Sequence, residues 1–236
     1  MADRSQWIPL TAAVRPFSVG LDLGGTNIKA GLVDDEGRTL AYHTEPTEVA
    51  RGPEDVAARL GGCVATLAAL TGIEPGEVAT VGLGTPGPQD LASGVIHDAG
   101  NLPGFENFPI RDRVSAHCDH AVTFANDATA AAYGEYWIGS GRDLASMVFW
   151  TLGTGIGGGV VIDGVCLEGH HSHATECGHI IVDTSPEARL CPCGQRGHLE
   201  AYASATALVK SARGAVHAGL GTRLATVAAA GEPITP

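Results

Sequence analysis

The hydrophobic positions of this chain follow two rhythms, alternation over several short stretches and a helical repeat over one long one, and together they predict a mixed α/β protein. Residues 17–23 alternate as a strand does and run into a Gly24-Gly25 turn and a second strand. Another turn at 35–37 precedes a strand at 39–43. Residues 53–70 place Val56, Leu60, Cys63, Val64, Leu67 and Leu70 on one face, opened by Pro53 and closed by Gly72, which predicts a helix covering a sheet. A buried strand at 78–83 feeds the rigid loop 84–88, at a strand's C-terminal end where open α/β sheets place their ligands. Residues 101–109 read as loop, and a strand at 121–125 delivers Asn126 and Asp127 onto a helix at 128–137. A strand at 147–152 enters the glycine run 153–159 and continues as a strand at 160–163. Residues 180–182 read as a strand and 199–213 as a helix, with Leu199, Tyr202, Thr206, Val209 and Ala212 roughly on one side. The first fifteen residues form a loose lead-in, and 227–236 offers neither a closing strand nor a capped helix.

Composition narrows the function. The 236 residues suffice for one large domain or two lobes, here taken as 1–125 and 126–236. A net charge of -12 repels phosphate backbones and anionic lipid, which argues against nucleic-acid and membrane partners, so any bound phosphate must be met locally. The 33 glycines fall in short runs without period and mark turns and close backbone approaches. Six cysteines show no disulfide framework, the N-terminus has no apolar leader, and no apolar run approaches the ~20 residues of a membrane span. A reducing cytoplasm is the expected location.

Candidate chemistry concentrates at 176–200, where four soft-metal ligands lie between Glu176 and Glu200. His179, Cys191, Cys193 and His198 supply the two imidazoles and two thiolates of a closed, structural zinc site, with Gly194 and Gly197 turning the backbone around the ion. Cys177 is an alternative ligand, and the competing reading is a Gly-rich loop with surface thiols. The stretch Asp22, Gly24, Gly25, Thr26, Asn27, Lys29 is either an ordinary hairpin or an anion cradle of bare N–H groups, a hydroxyl and a lysine, with Asp22 suited to a magnesium-bound phosphate. Gly153, Thr154, Gly155, Gly157 and Gly158 repeat that device, so that two hairpins would address one phosphate from opposite sides. Asn126 and Asp127 fit helix caps and equally fit a carboxylate base for a bound hydroxyl. His170, His171 and His173 read as solvent or substrate neighbours.

The ordered set of Asp22 to Lys29, 84–87, Asn126-Asp127-Ala128, the glycine run, Glu176-Cys177-Gly178-His179 and 191–200 resembles the ROK family of sugar kinases and repressors. The resemblance runs nearly the whole chain and implies an α/β, actin-like (ribonuclease H-like) two-lobed sugar kinase fold. It makes Asp127 the catalytic base toward a sugar 6-hydroxyl, with Asn101, Asn126, Glu176, His179 and Glu200 on the other hydroxyls and the two hairpins on ATP and its magnesium. His179 would then hold zinc with one ring nitrogen and face sugar with the other. The implied activity is ATP-dependent phosphorylation of glucose, with fructose, mannose or N-acetylmannosamine as alternatives, and the implied assembly is a homodimer. A repressor would need a DNA-binding helix pair ahead of the first hairpin, and a non-catalytic sugar-binding module is a third reading. Two departures stand out: His198 occupies the place of a third cysteine, and family members continue beyond the length of this chain. The second implies a truncated chain, its second lobe incomplete, that keeps the sugar and zinc sites but does not bind ATP normally.

Overall fold

A computed structural model describes residues 7–235; of the lead-in, 1–6 lie outside the described residues. A five-stranded sheet has the order β3-β2-β1-β4-β7. It is built from β1 (Phe17–Leu23), β2 (Asn27–Val33), β3 (Thr39–Pro46), β4 (Val78–Thr85) and β7 (Val122–Asn126). The first three strands form an antiparallel meander, and β4 and β7 add in parallel on the far side of β1. Alternation dictates the layering: Phe17, Val19, Leu21 and Leu23 are buried under helix α1 (Pro53–Thr71), while Ser18, Gly20 and Asp22 point to the opposite face. Helix α1 starts on Pro53 and stops on Gly72 at φ 77°, and buries Val56, Leu60, Cys63, Val64 and Leu67. Leu70, expected on that face, is instead 62% exposed, because the buried face is centred toward Ala57, Gly61 and Ala68 and leaves Leu70 at its margin. Helix α2 (Ile110–Cys118) lies beside α1 with Ile110 and Val114 buried. The short pair β5 (Gln89–Asp90) and β6 (Val95–Ile96) follows the loop after β4, and Leu102, Phe105 and Phe108 anchor the 101–109 loop in the core.

The second unit is a three-stranded sheet, order β10-β9-β8, from β8 (Ser146–Leu152), β9 (Ile156–Ile162) and β10 (Val165–Cys166). Helix α3 (Asp127–Trp137) packs on β9. Here the expected turn shrinks: Leu152 pairs with Ile156, so only 153–155 turn, and Gly157, Gly158 and Gly159 belong to a strand. The reason is packing. A Cβ on Gly159 would collide with the Ala132 methyl of α3, and one on Gly157 would lie 2.9 Å from Ala128 Cβ, so glycine lets the helix backbone descend onto the strand. Residues 180–182 form no strand beyond the single bridge of Ile181 with His198, and their side chains stay half-exposed. The expected helix over 199–213 is two, α4 (Glu200–Ala203) and α5 (Ala205–His217), broken at Ser204, whose extended backbone and hydroxyl cap α5. A short helix, α6 (Leu224–Ala229), follows. No described helix is long and apolar enough to cross a membrane.

Candidate active site

A cleft of about 820 Å³ opens between the end of β7, the β8–β9 turn and the loops around 173–179 and 192–200. Parallel strands β4 and β7 end at its rim, so the backbone change from strand to helix after β7 falls at the cleft. Asn126 Oδ1 caps α3 by accepting from the N–H groups of Ala128 and Thr129 at 2.9 and 3.2 Å. That leaves its side-chain amide as the group offered to the cleft. Asp127 follows at the first helical position, accepts from Ala128 N at 2.7 Å, and lines both this cleft and a neighbouring cavity of about 720 Å³.

Asp127 is reachable by solvent through the cleft, yet the walls around it displace much of its water. That desolvation raises its carboxyl above the usual carboxylate range; the Ala128 amide opposes the rise, and the charges of Asp22 and Glu176 add to it. Lys29 Nζ pairs with Asp22 at 3.0 Å, which partly offsets one of those charges and in turn raises the lysine.

Of the sugar-facing candidates, Asn101, Asn126, Glu176, His179 and Glu200 all reach the larger cleft together with Asp127. Gly153, Thr154, Gly155, Gly157 and Gly158 line it as well. Their turn is fixed from behind: Glu200 Oε2 accepts from Ile156 N at 2.9 Å, Ala205 N donates to Gly153 O at 2.9 Å, and Thr206 Oγ1 donates to Thr154 O at 2.9 Å. Gly157 N is used by Thr151 Oγ1 at 3.0 Å. The first hairpin is placed differently. Gly24, Gly25, Thr26 and Asn27 line neither cavity, whereas Asp22 lines the second one. Gly25 rests against Asn101, whose carbonyl oxygen would lie 2.9 Å from a Cβ there, so the first turn meets the cleft through Asn101. The sequence gives no sign of a role at the cleft for Thr151 or Thr175, and it places Thr206 only on a helix face; Thr175 at least adjoins Glu176.

The ligand atoms of His179, Cys191, Cys193 and His198 lie within 4.8 Å of one another. His179 Nδ1 and His198 Nδ1 are 3.2 Å apart, Cys193 Sγ is 3.2 Å from His198 Nδ1, and Cys191 Sγ is 3.8 Å from His179 Nδ1. A tetrahedral zinc with ordinary bond lengths sets its ligand atoms roughly 3.3–3.8 Å apart, so the donor set and spacing fit that ion. Burial pushes the Cys191 thiol up to about 11, so a cation would have to displace its proton. Cys177 stands outside the group, under β9 against Gly158. Its side of the loop packs a strand. His173 reaches the cleft, and His170 and His171 stack edge to face at 4.6 Å; none of the three joins a metal-ligand group among the described residues.

Comparison with known proteins gives one consistent picture. The model of the ROK family matches residues 18–235. Glucokinase of Thermotoga maritima is 41% identical over 191 residues, covering 80% of this chain and 58% of that protein. N-acetylmannosamine kinase of Haemophilus influenzae is 32% identical over 195 residues, 80% of this chain and 60% of that protein. Among solved structures, a ROK family glucokinase from Streptomyces griseus in complex with glucose and AMPPNP superposes with a TM-score of 0.72 at 36% identity, over 86% of this chain and 62% of that one. The chain thus spans about three fifths of the length of the curated relatives it matches.

Proposed function

This chain belongs to the ROK family and has its actin-like α/β fold, and we propose that its cleft binds a hexose and presents the 6-hydroxyl to Asp127 for phosphorylation by ATP. The observation that carries the reading is the convergence at one cleft of Asp127, with its raised carboxyl, and of Asn101, Asn126, Glu176, His179 and Glu200. A sugar offers a ring of hydroxyls that donate and accept, and this set supplies two carboxylates, two amides and an imidazole to match them. Asp127 takes the proton of the attacking hydroxyl as its oxygen bonds to the γ-phosphorus and the bond to the β–γ bridging oxygen breaks, releasing ADP, whose phosphates the β8–β9 turn would hold. Magnesium, when bound, would shield the phosphate charge; Asp22 is the carboxylate of this chain suited to it.

Zinc fits His179, Cys191, Cys193 and His198, where it would clip the loop and fix the His179 ring. Nδ1 of His179 points into the ligand group, so its Nε2 is the nitrogen that can meet a sugar hydroxyl. Glucose is the favoured substrate, because the glucokinase of Thermotoga maritima exceeds the N-acetylmannosamine kinase in identity over a similar span. Calorimetric titration with glucose and N-acetylmannosamine tests the sugar site without any donor. Glucose-selective heat that weakens in Glu176→Ala supports it. With ATP and magnesium present, Asp127→Ala is expected to lower turnover by about 10²–10⁴-fold while sugar binding persists. A folded chain that gives no heat with either sugar refutes the reading.

A further inference from the structure

Thr175 sits in the left-handed region, at φ 67°. Glu48, Asn107, Asp119, Asp163 and Ser172 also have positive φ, but Thr175 alone of these described residues is β-branched. Branching at Cβ makes this conformation an outlier for threonine, whereas glycine enters it freely. Such strain persists where the surroundings over-determine the backbone, and it collects at ligand sites.

The surroundings here demand the backbone and do not demand the side chain. The Thr175 carbonyl accepts from Cys177 N at 2.7 Å, directly ahead of the 3₁₀ turn Cys177–His179, which begins where Glu176 O accepts from His179 N at 2.9 Å. The Thr175 carbonyl also packs over β9, 3.0 Å from where a Cβ on Gly158 would sit. Glycine would serve both contacts without strain. Thr175 itself lines the larger cleft, between Ala174 and Glu176, which line it too. Its hydroxyl has no hydrogen-bond partner among the described residues.

We propose that Thr175 is a substrate-reading residue whose hydroxyl hydrogen-bonds a hydroxyl of the bound hexose, next to the one taken by Glu176. This rests on the hexose reading of the cleft. It assigns the unfavourable side chain a function: the strain is retained because it carries a donor and acceptor into the cleft beside a carboxylate that can only accept.

The test combines denaturant unfolding with calorimetric titration of glucose for the full chain and for Thr175→Gly and Thr175→Ser. Thr175→Gly is expected to unfold at a higher denaturant concentration and to bind glucose about five- to tenfold more weakly. Thr175→Ser keeps the hydroxyl and is expected to bind within roughly twofold of the wild-type chain. A Thr175→Gly variant that gains stability and binds glucose as tightly as the wild type overturns the proposal. If neither the wild type nor a variant binds glucose, the hexose reading falls and the proposal with it; a higher unfolding midpoint in Thr175→Gly separates that outcome from misfolding.

Discussion

At Asp127 local backbone and long-range charge act in opposite senses. The N–H of Ala128 stabilises the carboxylate, as the start of a helix does, while desolvation and the fields of Asp22 and Glu176 hold the proton on. The balance raises the carboxyl, so it binds a proton more strongly than an ordinary aspartate, as the proposed abstraction from a hydroxyl requires. Asp22→Asn removes one of the two named charges. Carbon-detected NMR of the Asp127 carboxyl, which needs no turnover, should show a titration above the ordinary aspartate range in the wild type and a shift back toward that range in Asp22→Asn. The same titration in both proteins would mean that Asp22 does not act on this group. The position of Asp127, at a strand-to-helix junction, was legible in the sequence. Its environment was not, because the acids that act on it come from β1 and from the loop before His179, and no local pattern joins those segments. Thr175 was illegible for a related reason: a threonine gives no sign of a positive φ, which here costs of order 1–3 kcal/mol, until the packing over β9 is known.

Among the elements, those set by a repeating face were readable and those set by a neighbour were not. Strand β1 and helix α1 followed from alternation and from the i, i+4 row, with Pro53 and Gly72 at the ends. Helix α2 went unseen because Ile110 and Val114 are its only buried residues, too few to form a row. The glycines of β9 looked like turn formers, since the sequence alone does not separate a glycine that turns from one that admits α3. The turn between β2 and β3 shows how a single buried acid fixes an element boundary. Asp34 is fully buried and accepts from the N–H groups of Val14, Glu36 and Arg38 and from the Arg38 guanidinium at 2.6 Å. Burial alone would raise its carboxyl, but the Arg38 and backbone bonds outweigh it and leave the group at about 2. A carboxylate depressed on folding stabilises the native state above its unfolded value near ~4, and that contribution is lost as pH falls toward the folded value. Asp34→Asn should therefore cost about 2 kcal/mol at neutral pH, since its amide faces the Val14 N–H and lacks the charge for Arg38. In denaturant unfolding, the gap to the wild type should narrow as pH drops from ~4 toward about 2. A gap that stays constant across that window would exclude the ionised pair as its cause.

For the molecule as a whole, the loop 180–199 is held by few regular elements. It contains isolated bridges, half-exposed Ile180, Ile181 and Val182, and no helix or strand before α4. Such a segment lacks the apolar burial to order itself and needs a clip, which the four gathered ligands can provide. The clip would act beyond the loop. His198 is followed at once by Leu199 and Glu200; Glu200 binds Ile156 N, and the α4–α5 junction binds Gly153 and Thr154. Ordering the loop would therefore order the β8–β9 turn, and His179 joins the same ligands to the wall of the larger cleft. Removing metal with a chelator should thus increase amide hydrogen exchange in two separate segments, 180–199 and 153–157, and weaken glucose binding at least tenfold, with zinc restoring both. Cys191→Ser should reproduce the exchange pattern without chelator. If exchange rises in 180–199 while 153–157 stays protected, the metal loop and the glycine turn are independent, and the coupling through Glu200 and the α4–α5 junction is wrong even though the metal site stands.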